Sequence, residues 1–140
     1  MKQEVNEQIM RFCRAFMRNK SVDLPVRPSQ FAVLGIMCSV PGVHTPVDLS
    51  RRLGVSKAMI SMHLSALVDM GLVMRVPSPE DGRSVVVMPS RQGVELFNKV
   101  SRATNKRIEM LSKKMGVGEF NELLRLISVA NQILDDGAAV

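Results

Sequence analysis

The chain lacks tryptophan and tyrosine, and its only aromatic side chains are five phenylalanines. Its two cysteines stand at unpatterned positions, which excludes a disulfide framework and points to a reducing compartment. The apolar runs are too short to cross a membrane, and the N-terminal segment carries Glu4 and Glu7 where a signal peptide has an apolar core. We therefore expect a soluble cytoplasmic protein without membrane contact.

The length and the charge limit what the chain can be. Its 140 residues have room for one domain, and 46% hydrophobic residues supply one core. Lysine and arginine exceed aspartate and glutamate by 19 to 13, and the net charge of +6 favours a polyanionic partner. Between Asp48 and Asp69 the sequence holds three basic residues and no acidic one. This segment is a local positive patch.

The hydrophobic pattern predicts six helices. Four of them follow from apolar residues at helical spacing. The first covers the first twenty residues and ends near Asn19, and the second runs from Ser29, or the residues just before it, through Val40. A long helix then runs from Ser90 to Gly116, and a last helix runs from Glu119 to about Asp135. The terminal helices carry more apolar surface than one small domain needs, so we expect them to pack on each other or across a dimer axis.

The other two helices are short and adjacent. Thr45 is a suitable N-cap with Pro46 at the first helical position, and Gly54 ends that helix. Ser56 caps the next helix, which runs to about Met70. Two short helices joined by a tight turn predict a helix-turn-helix.

A β-hairpin is predicted directly after the helix-turn-helix. The valine-rich segments 72–76 and 84–88 are strand-like, and the turn pair Asp81 and Gly82 lies between them. A hairpin in this place is a wing, a second surface able to reach a neighbouring DNA groove. The predicted fold is therefore mainly α with a small β-hairpin wing.

These segments together resemble one known family, the MarR-type winged-helix transcriptional regulators. RPSQFAVLGIM, VDLSRRLGVSKAMISMHLSALVDMGLVMR and EDGRSVVV stand in the order and spacing of that family's second helix, helix-turn-helix and wing. The wing's Asp-x-Arg motif is present as Asp81, Gly82 and Arg83. The resemblance implies one MarR-like domain over residues 1–140, in which residues 1–27 and 90–140 form a dimerisation region and residues 28–89 form the winged helix-turn-helix.

The resemblance also implies partners. They are double-stranded DNA, a second copy of the chain, and a small apolar or phenolic ligand; no cofactor is implied. The two recognition helices of a homodimer would enter successive major grooves of a pseudo-palindromic operator, with half-sites about 10 bp apart. Many members are repressors that a ligand or cysteine oxidation releases from DNA.

Ten residues are candidate DNA contacts, and eight of them, all except Arg51 and Arg52, match positions of the family. Arg83 is expected in the minor groove with Asp81 orienting it, or else Asp81 and Gly82 only make the turn and Arg83 is solvated. Arg51 and Arg52 would contact phosphates, or they are a surface pair without a ligand. The positions expected to face the major groove are Ser56, Lys57, Ala58, Ser61, Met62 and Ser65.

Two departures from the family favour an alternative function. Many relatives carry arginine where this chain has Met62 and Ala66, and arginine bonded to guanine is the commonest specific contact to a base. The alternative is a winged-helix module that binds a protein or a ligand and has little sequence-specific DNA binding.

Other candidate sites are weaker. Cys13 lies where peroxide-sensing relatives keep a reactive cysteine, but those sensors use tyrosine hydroxyls that this chain lacks, so we favour a buried, packed Cys13 over a redox site. The methionines are candidates for an apolar ligand pocket, or else ordinary core residues; those singled out are Met10, Met17, Met37 and Met110.

No chemistry of catalysis or metal binding is indicated. The cysteines and histidines lack the close paired spacing of a zinc site. No nucleophile stands near a base, and no glycine-rich phosphate loop is present, so we do not expect an enzyme.

Overall fold

The computed structural model describes residues 1–18 and 23–138, and within them it contains the six predicted helices and the predicted hairpin. The mainly helical fold with a small wing is therefore confirmed. The expected end of the first helix at Asn19 lies outside the described residues. The elements are α1 (Lys2–Met17), α2 (Pro28–Ser39), α3 (Pro46–Leu53), α4 (Lys57–Asp69), β1 (Val73–Pro77), β2 (Val85–Pro89), α5 (Arg91–Met115) and α6 (Val117–Ala138).

The described chain divides into two compact units. The winged-helix unit, residues 23–101, holds α2 to α4, the hairpin and the first part of α5. The terminal-helix unit, residues 1–18 and 102–138, holds α1, the rest of α5 and α6. This division falls inside α5. The functional boundaries predicted at residues 27 and 90 divide the chain differently, and they stay predictions.

The core of the winged-helix unit comes from the apolar faces of α2, α3 and α4. A fully buried leucine or isoleucine stabilises a fold by about 1.5–3 kcal/mol relative to exposure, so this cluster fixes how the three helices pack. Its most deeply buried side chains, each at most 1% exposed, include Leu34, Leu49, Ile60, Leu64 and Leu67. The N-cap of α2 is Arg27, just before Ser29, and its N–H donates to Gln30 Oε1 at 3.0 Å.

The hairpin is bonded to the connector between α2 and α3, residues 40–45, as well as having its two strands paired with each other. Its strands pair antiparallel with Val73 opposite Pro89 and Arg75 opposite Val87, and each begins one residue later than predicted. The N–H of Val87 donates to the His44 carbonyl oxygen at 2.9 Å. The buried imidazole of His44 donates through Nε2 to the carbonyl oxygen of Val40, also at 2.9 Å.

Ser90 joins the start of α5 to the end of the helix-turn-helix. Its Oγ donates to the Gly71 carbonyl oxygen at 2.6 Å and accepts from the Gly93 N–H at 3.1 Å, which confirms the predicted N-cap. Its N–H donates to the Leu72 carbonyl oxygen at 2.9 Å. Gly93 is buried, and a Cβ there would overlap the Leu72 carbonyl. We name these contacts the Ser90 junction.

The terminal-helix unit has no buried side chain among its described residues. The Phe12 and Phe16 rings stack with centroids 5.9 Å apart, and the Arg107 guanidinium lies 5.9 Å from the Phe16 centroid. Arg107 also donates to the carbonyl oxygens of Phe16 and Arg18, so two main-chain carbonyls at the C-terminal end of α1 have a hydrogen-bond donor. Here α6 begins at Val117 and ends at Ala138, so it exceeds the predicted span at both ends.

Candidate nucleic-acid interface

The helix-turn-helix is built from local caps at the places the sequence predicts. Thr45 Oγ1 accepts from the Asp48 N–H at 3.2 Å, and Gly54 ends α3 in the left-handed conformation with a φ of 64°. Ser56 Oγ accepts from the Met59 N–H at 3.1 Å and begins α4. These caps determine where α3 and α4 begin and where α3 ends.

The recognition helix α4 has one anchored face and one free face. Ile60, Leu64 and Leu67 are almost completely buried against the core. The residues of α4 predicted to face DNA all lie on exposed positions, and no acidic side chain stands in the first turn: Lys57, Ala58, Ser61, Met62 and Ser65. The free N–H groups and the positive end of the helix dipole at this end suit a phosphate.

Arg51 and Arg52 are exposed in the last turn of α3. The Arg51 guanidinium lies 3.9 Å from the Asp48 carboxylate, and the two side chains are 76% and 42% exposed. Exposed pairs of this kind contribute at most about 1 kcal/mol, so the contact leaves Arg51 able to exchange Asp48 for a phosphate. The phosphate role of both arginines stays a prediction.

The wing tip is organised by the carboxylate of Asp81. Its Oδ1 accepts from the N–H groups of Arg83 and Ser84, each at 2.9 Å, and Oδ2 accepts from Ser84 Oγ at 3.1 Å. The hydrogen bonds from the Ser84 N–H, the Arg83 N–H and the Ser84 hydroxyl lower the pKa of Asp81. Gly82 completes the turn with a φ of 65°.

Asp81 therefore contacts Arg83 through the main chain. The Arg83 side chain is exposed at the wing tip, and Asp81 fixes the backbone from which it projects. The prediction that Asp81 orients the guanidinium itself is not tested by these contacts.

The sequence did not predict one contact between the wing and the recognition helix. The Arg75 guanidinium on β1 donates to Ser65 Oγ on α4 at 3.2 Å, and both side chains are exposed. This bond ties the base of the wing to the face that carries the predicted DNA contacts. The one signal in the sequence is a charged residue in an otherwise uncharged strand.

The four candidate pocket methionines belong to both units: Met10, Met17 and Met110 lie in the terminal-helix unit, and Met37 lies in the winged-helix unit. On α1, Met10 and Met17 are 48% and 67% exposed. Met110 lines a cavity of about 160 Å³ with Phe16 and Arg107. Met37 is buried in the winged-helix unit and lines a different cavity, of about 410 Å³, beside the wing. The role of the four methionines in a ligand pocket stays a prediction.

The expected burial of Cys13 is wrong, because its side chain is exposed on α1. An apolar periodicity identifies the face of a helix but not whether another element covers it. Cys38 is half-buried, and this burial raises the pKa of its thiol. The redox role of Cys13 stays a prediction.

Two features are absent from the part of the chain that the structure describes. Among residues 1–18 and 23–138, no helix has the length and hydropathy to cross a membrane. Within the same ranges, no three histidine, cysteine, aspartate or glutamate side chains are grouped as metal ligands.

Comparison with known proteins gives the chain a family. The model of the MarR family matches residues 23–84. An uncharacterized HTH-type transcriptional regulator of Mycobacterium bovis is 33% identical over 126 residues, which cover 90% of this chain and 85% of that protein. An uncharacterized HTH-type regulator of Mycobacterium leprae is 36% identical over 95 residues, or 68% of this chain and 65% of that protein.

Solved structures show the same fold. FabT of Streptococcus pneumoniae, determined in complex with DNA, has a TM-score of 0.79 at 19% identity and covers 97% of this chain and 99% of its own. The reduced form of MarR from E. coli has a TM-score of 0.71 at 23% identity and covers 91% and 94%. The chain belongs to the MarR family of helix-turn-helix transcriptional regulators, and its family is one of regulators rather than of enzymes.

Proposed function

We propose that the chain is a homodimeric repressor that binds a pseudo-palindromic operator in double-stranded DNA and leaves it when a small ligand binds. The observation that carries the DNA-binding part is the free face of α4, which presents five of the six predicted major-groove contacts while the opposite face of the helix is buried. In this proposal α4 enters the major groove and Arg83 reaches the minor groove. The FabT structure in complex with DNA supports this use of the fold.

The terminal-helix unit supplies the argument for a homodimer. No described side chain of this unit is buried, and Ile133 and Leu134 on α6 are 65% and 70% exposed. A cavity of about 480 Å³ in the same unit is lined by apolar side chains alone, namely Phe12, Phe16, Ile108, Leu111, Phe120, Leu123, Leu124 and Ile127. A soluble monomer rarely exposes so much contiguous apolar surface, so we assign it to a second copy. Residues 1–27 and 90–140 form the dimerisation region of this proposal, and residues 28–89 bind DNA.

The smaller cavity of the same unit suits the releasing ligand. It holds about 160 Å³, and Arg107 gives it one cationic group beside Phe12, Phe16 and Met110. An apolar cavity of roughly 150 Å³ accepts a single aromatic ring. A phenolic ligand would place its ring against the phenylalanines and its oxygen near the guanidinium. DNA binding would place the chain in the cytoplasm, as for regulators in bacteria.

The alternative function is a winged-helix module that binds a protein or a ligand without sequence-specific DNA binding. It is favoured by one observation: Met62 is 67% exposed on the free face of α4, where an arginine would be able to contact guanine.

A binding experiment separates the two functions. Purified protein is titrated with DNA from upstream of its own gene and with scrambled DNA of equal length, over a series of salt concentrations. The repressor binds the upstream DNA more tightly, and its affinity falls steeply with salt because lysine and arginine displace counterions from phosphates. Equal, weak binding to both DNAs at physiological salt would refute the repressor and support the alternative module. Sedimentation equilibrium of the free protein tests the homodimer, which a monomer at micromolar concentration would refute.

A further inference from the structure

The free face of α4 has apolar side chains at its centre. Ala58 and Met62 stand one helical turn apart, on the side opposite the buried Ile60 and Leu64. Met62 is 67% exposed, more than the neighbouring Met59 at 43%. A single exposed methionine needs no explanation on an ordinary surface, but this one lies at the centre of the face that we propose enters the major groove.

Apart from Lys57, the polar groups on this face distinguish bases poorly. Arginine and lysine bond to guanine, and asparagine and glutamine form two hydrogen bonds with adenine. Lys57 is the first residue of α4, and the rest of the helix contains none of these four residue types. Its hydroxyls belong to Ser61 and Ser65, and a serine hydroxyl bonds to several bases. The Ser65 hydroxyl already accepts a hydrogen bond from Arg75 at 3.2 Å. Hydrogen bonding from α4 beyond Lys57 therefore leaves most base pairs undistinguished.

The major groove exposes one apolar group, the C5 methyl of thymine. We infer that α4 selects its DNA by contact of Ala58 and Met62 with thymine methyl groups. The unbranched, polarisable side chain of methionine suits this contact because it adapts to a methyl whose position varies with local DNA shape. The inference rests on the proposed DNA binding, and it names the base that the recognition helix selects.

The size of the effect follows from the burial of one methyl. Removing a methyl-sized apolar group from contact lowers affinity about four-fold. In a homodimer the same change in both half-sites multiplies, so replacing the contacted thymine in each half-site lowers affinity about fifteen-fold.

The test uses uracil, which keeps the hydrogen-bonding edge of thymine and lacks only the methyl group. Sequences bound by the full chain are first selected from random double-stranded DNA. Each thymine of the selected site is then replaced by uracil, and the affinities are measured for the wild type, Met62→Ala and the matched control Met59→Ala. Both methionines are exposed, and circular dichroism confirms that each variant is folded.

We expect the wild type and Met59→Ala to lose about four-fold in affinity at one or two thymines of each half-site. Met62→Ala binds the thymine and uracil forms with equal affinity at one thymine at least, the one that Met62 contacts, and it keeps the preference at a thymine contacted by Ala58. A selected site at which the wild type shows no thymine preference, or at which Met62→Ala keeps the wild-type preference at every thymine, overturns this inference and leaves the proposed repressor standing. A selection that enriches no sequence overturns both.

Discussion

The Ser90 junction gives a stability prediction whose magnitude follows from its geometry. Gly93→Ala places a methyl group on the Leu72 carbonyl oxygen, so the start of α5 has to move away. Overpacking of this kind costs about 1–3 kcal/mol. The movement also lengthens hydrogen bonds of Ser90 to Gly71 and Leu72, each of which contributes about 1 kcal/mol. The better helix propensity of alanine offsets less than about 1 kcal/mol of this cost, so we expect a net destabilisation of about 2–4 kcal/mol.

The matched control is Gly118→Ala in the first turn of α6. No atom lies within 4 Å of a Cβ at Gly118, so this variant gains helix propensity without a clash. We expect it to be as stable as the wild type or more stable, by up to about 1 kcal/mol.

Both variants are compared with the wild type by urea unfolding, followed by circular dichroism at one protein concentration, because a dimer's midpoint depends on concentration. The reasoning is refuted if Gly93→Ala unfolds at the wild-type urea concentration with the same slope. A loss of stability in both variants would show that helical glycines matter here for a reason other than the clash.

Three further predictions concern the face that we propose binds DNA. Ser65→Ala and Arg75→Ala should weaken DNA binding by similar factors, and the double variant should lose little more affinity, because each substitution removes the same hydrogen bond. Additive losses of affinity in a double-mutant cycle would contradict this prediction. Arg83→Ala should weaken operator binding and reduce the salt dependence of the affinity. The control is Arg91→Ala, because the Arg91 side chain on α5 is 93% exposed and lies outside the proposed contact surface, and this variant should bind like the wild type. Equal effects of the two substitutions would exclude a contact between the wing and DNA. The hydrogen bonds to Asp81 lower its pKa, so they stabilise the folded turn at pH values above the ordinary aspartate pKa. This contribution to stability is lost as the pH falls through the lower pKa of the folded state. NMR titration of the Asp81 carboxyl carbon should give a midpoint below 3.8, and a midpoint at or above that value would contradict the prediction.

The helix-turn-helix could be predicted from sequence because its determinants are local. A threonine or serine cap acts within three residues, and a left-handed glycine acts at its own position, so Thr45, Gly54 and Ser56 are each recognisable without the rest of the fold. The same holds for Ser90, whose cap is visible in the sequence although its bond to Gly71 is not.

Contacts that depend on packing could not be predicted in this way. The bond between Arg75 and Ser65 joins residues ten positions apart on a strand and a helix, and no periodicity brings them together. The burial expected for Cys13 failed for a related reason, since α1 leaves it exposed although the helix itself was predicted correctly. The ligand-pocket role of the four methionines rests on residue type and on the helices that carry them, neither of which determines what a side chain lines, and it stays a prediction.

The contacts at the base of the wing have a consequence for the proposed DNA binding. The His44 carbonyl accepts from the N–H of Val87 on β2, Val87 stands opposite Arg75 on β1, and the Arg75 guanidinium donates to Ser65 on α4. Rotation of the hairpin relative to α4 would disrupt these contacts, so they oppose a change in the distance between α4 and the wing tip. In the proposed complex, DNA whose major and minor grooves are spaced differently would have to deform before it could contact both elements. The wing of the proposed repressor would then discriminate against stiff, wrongly spaced sequences without contacting their bases.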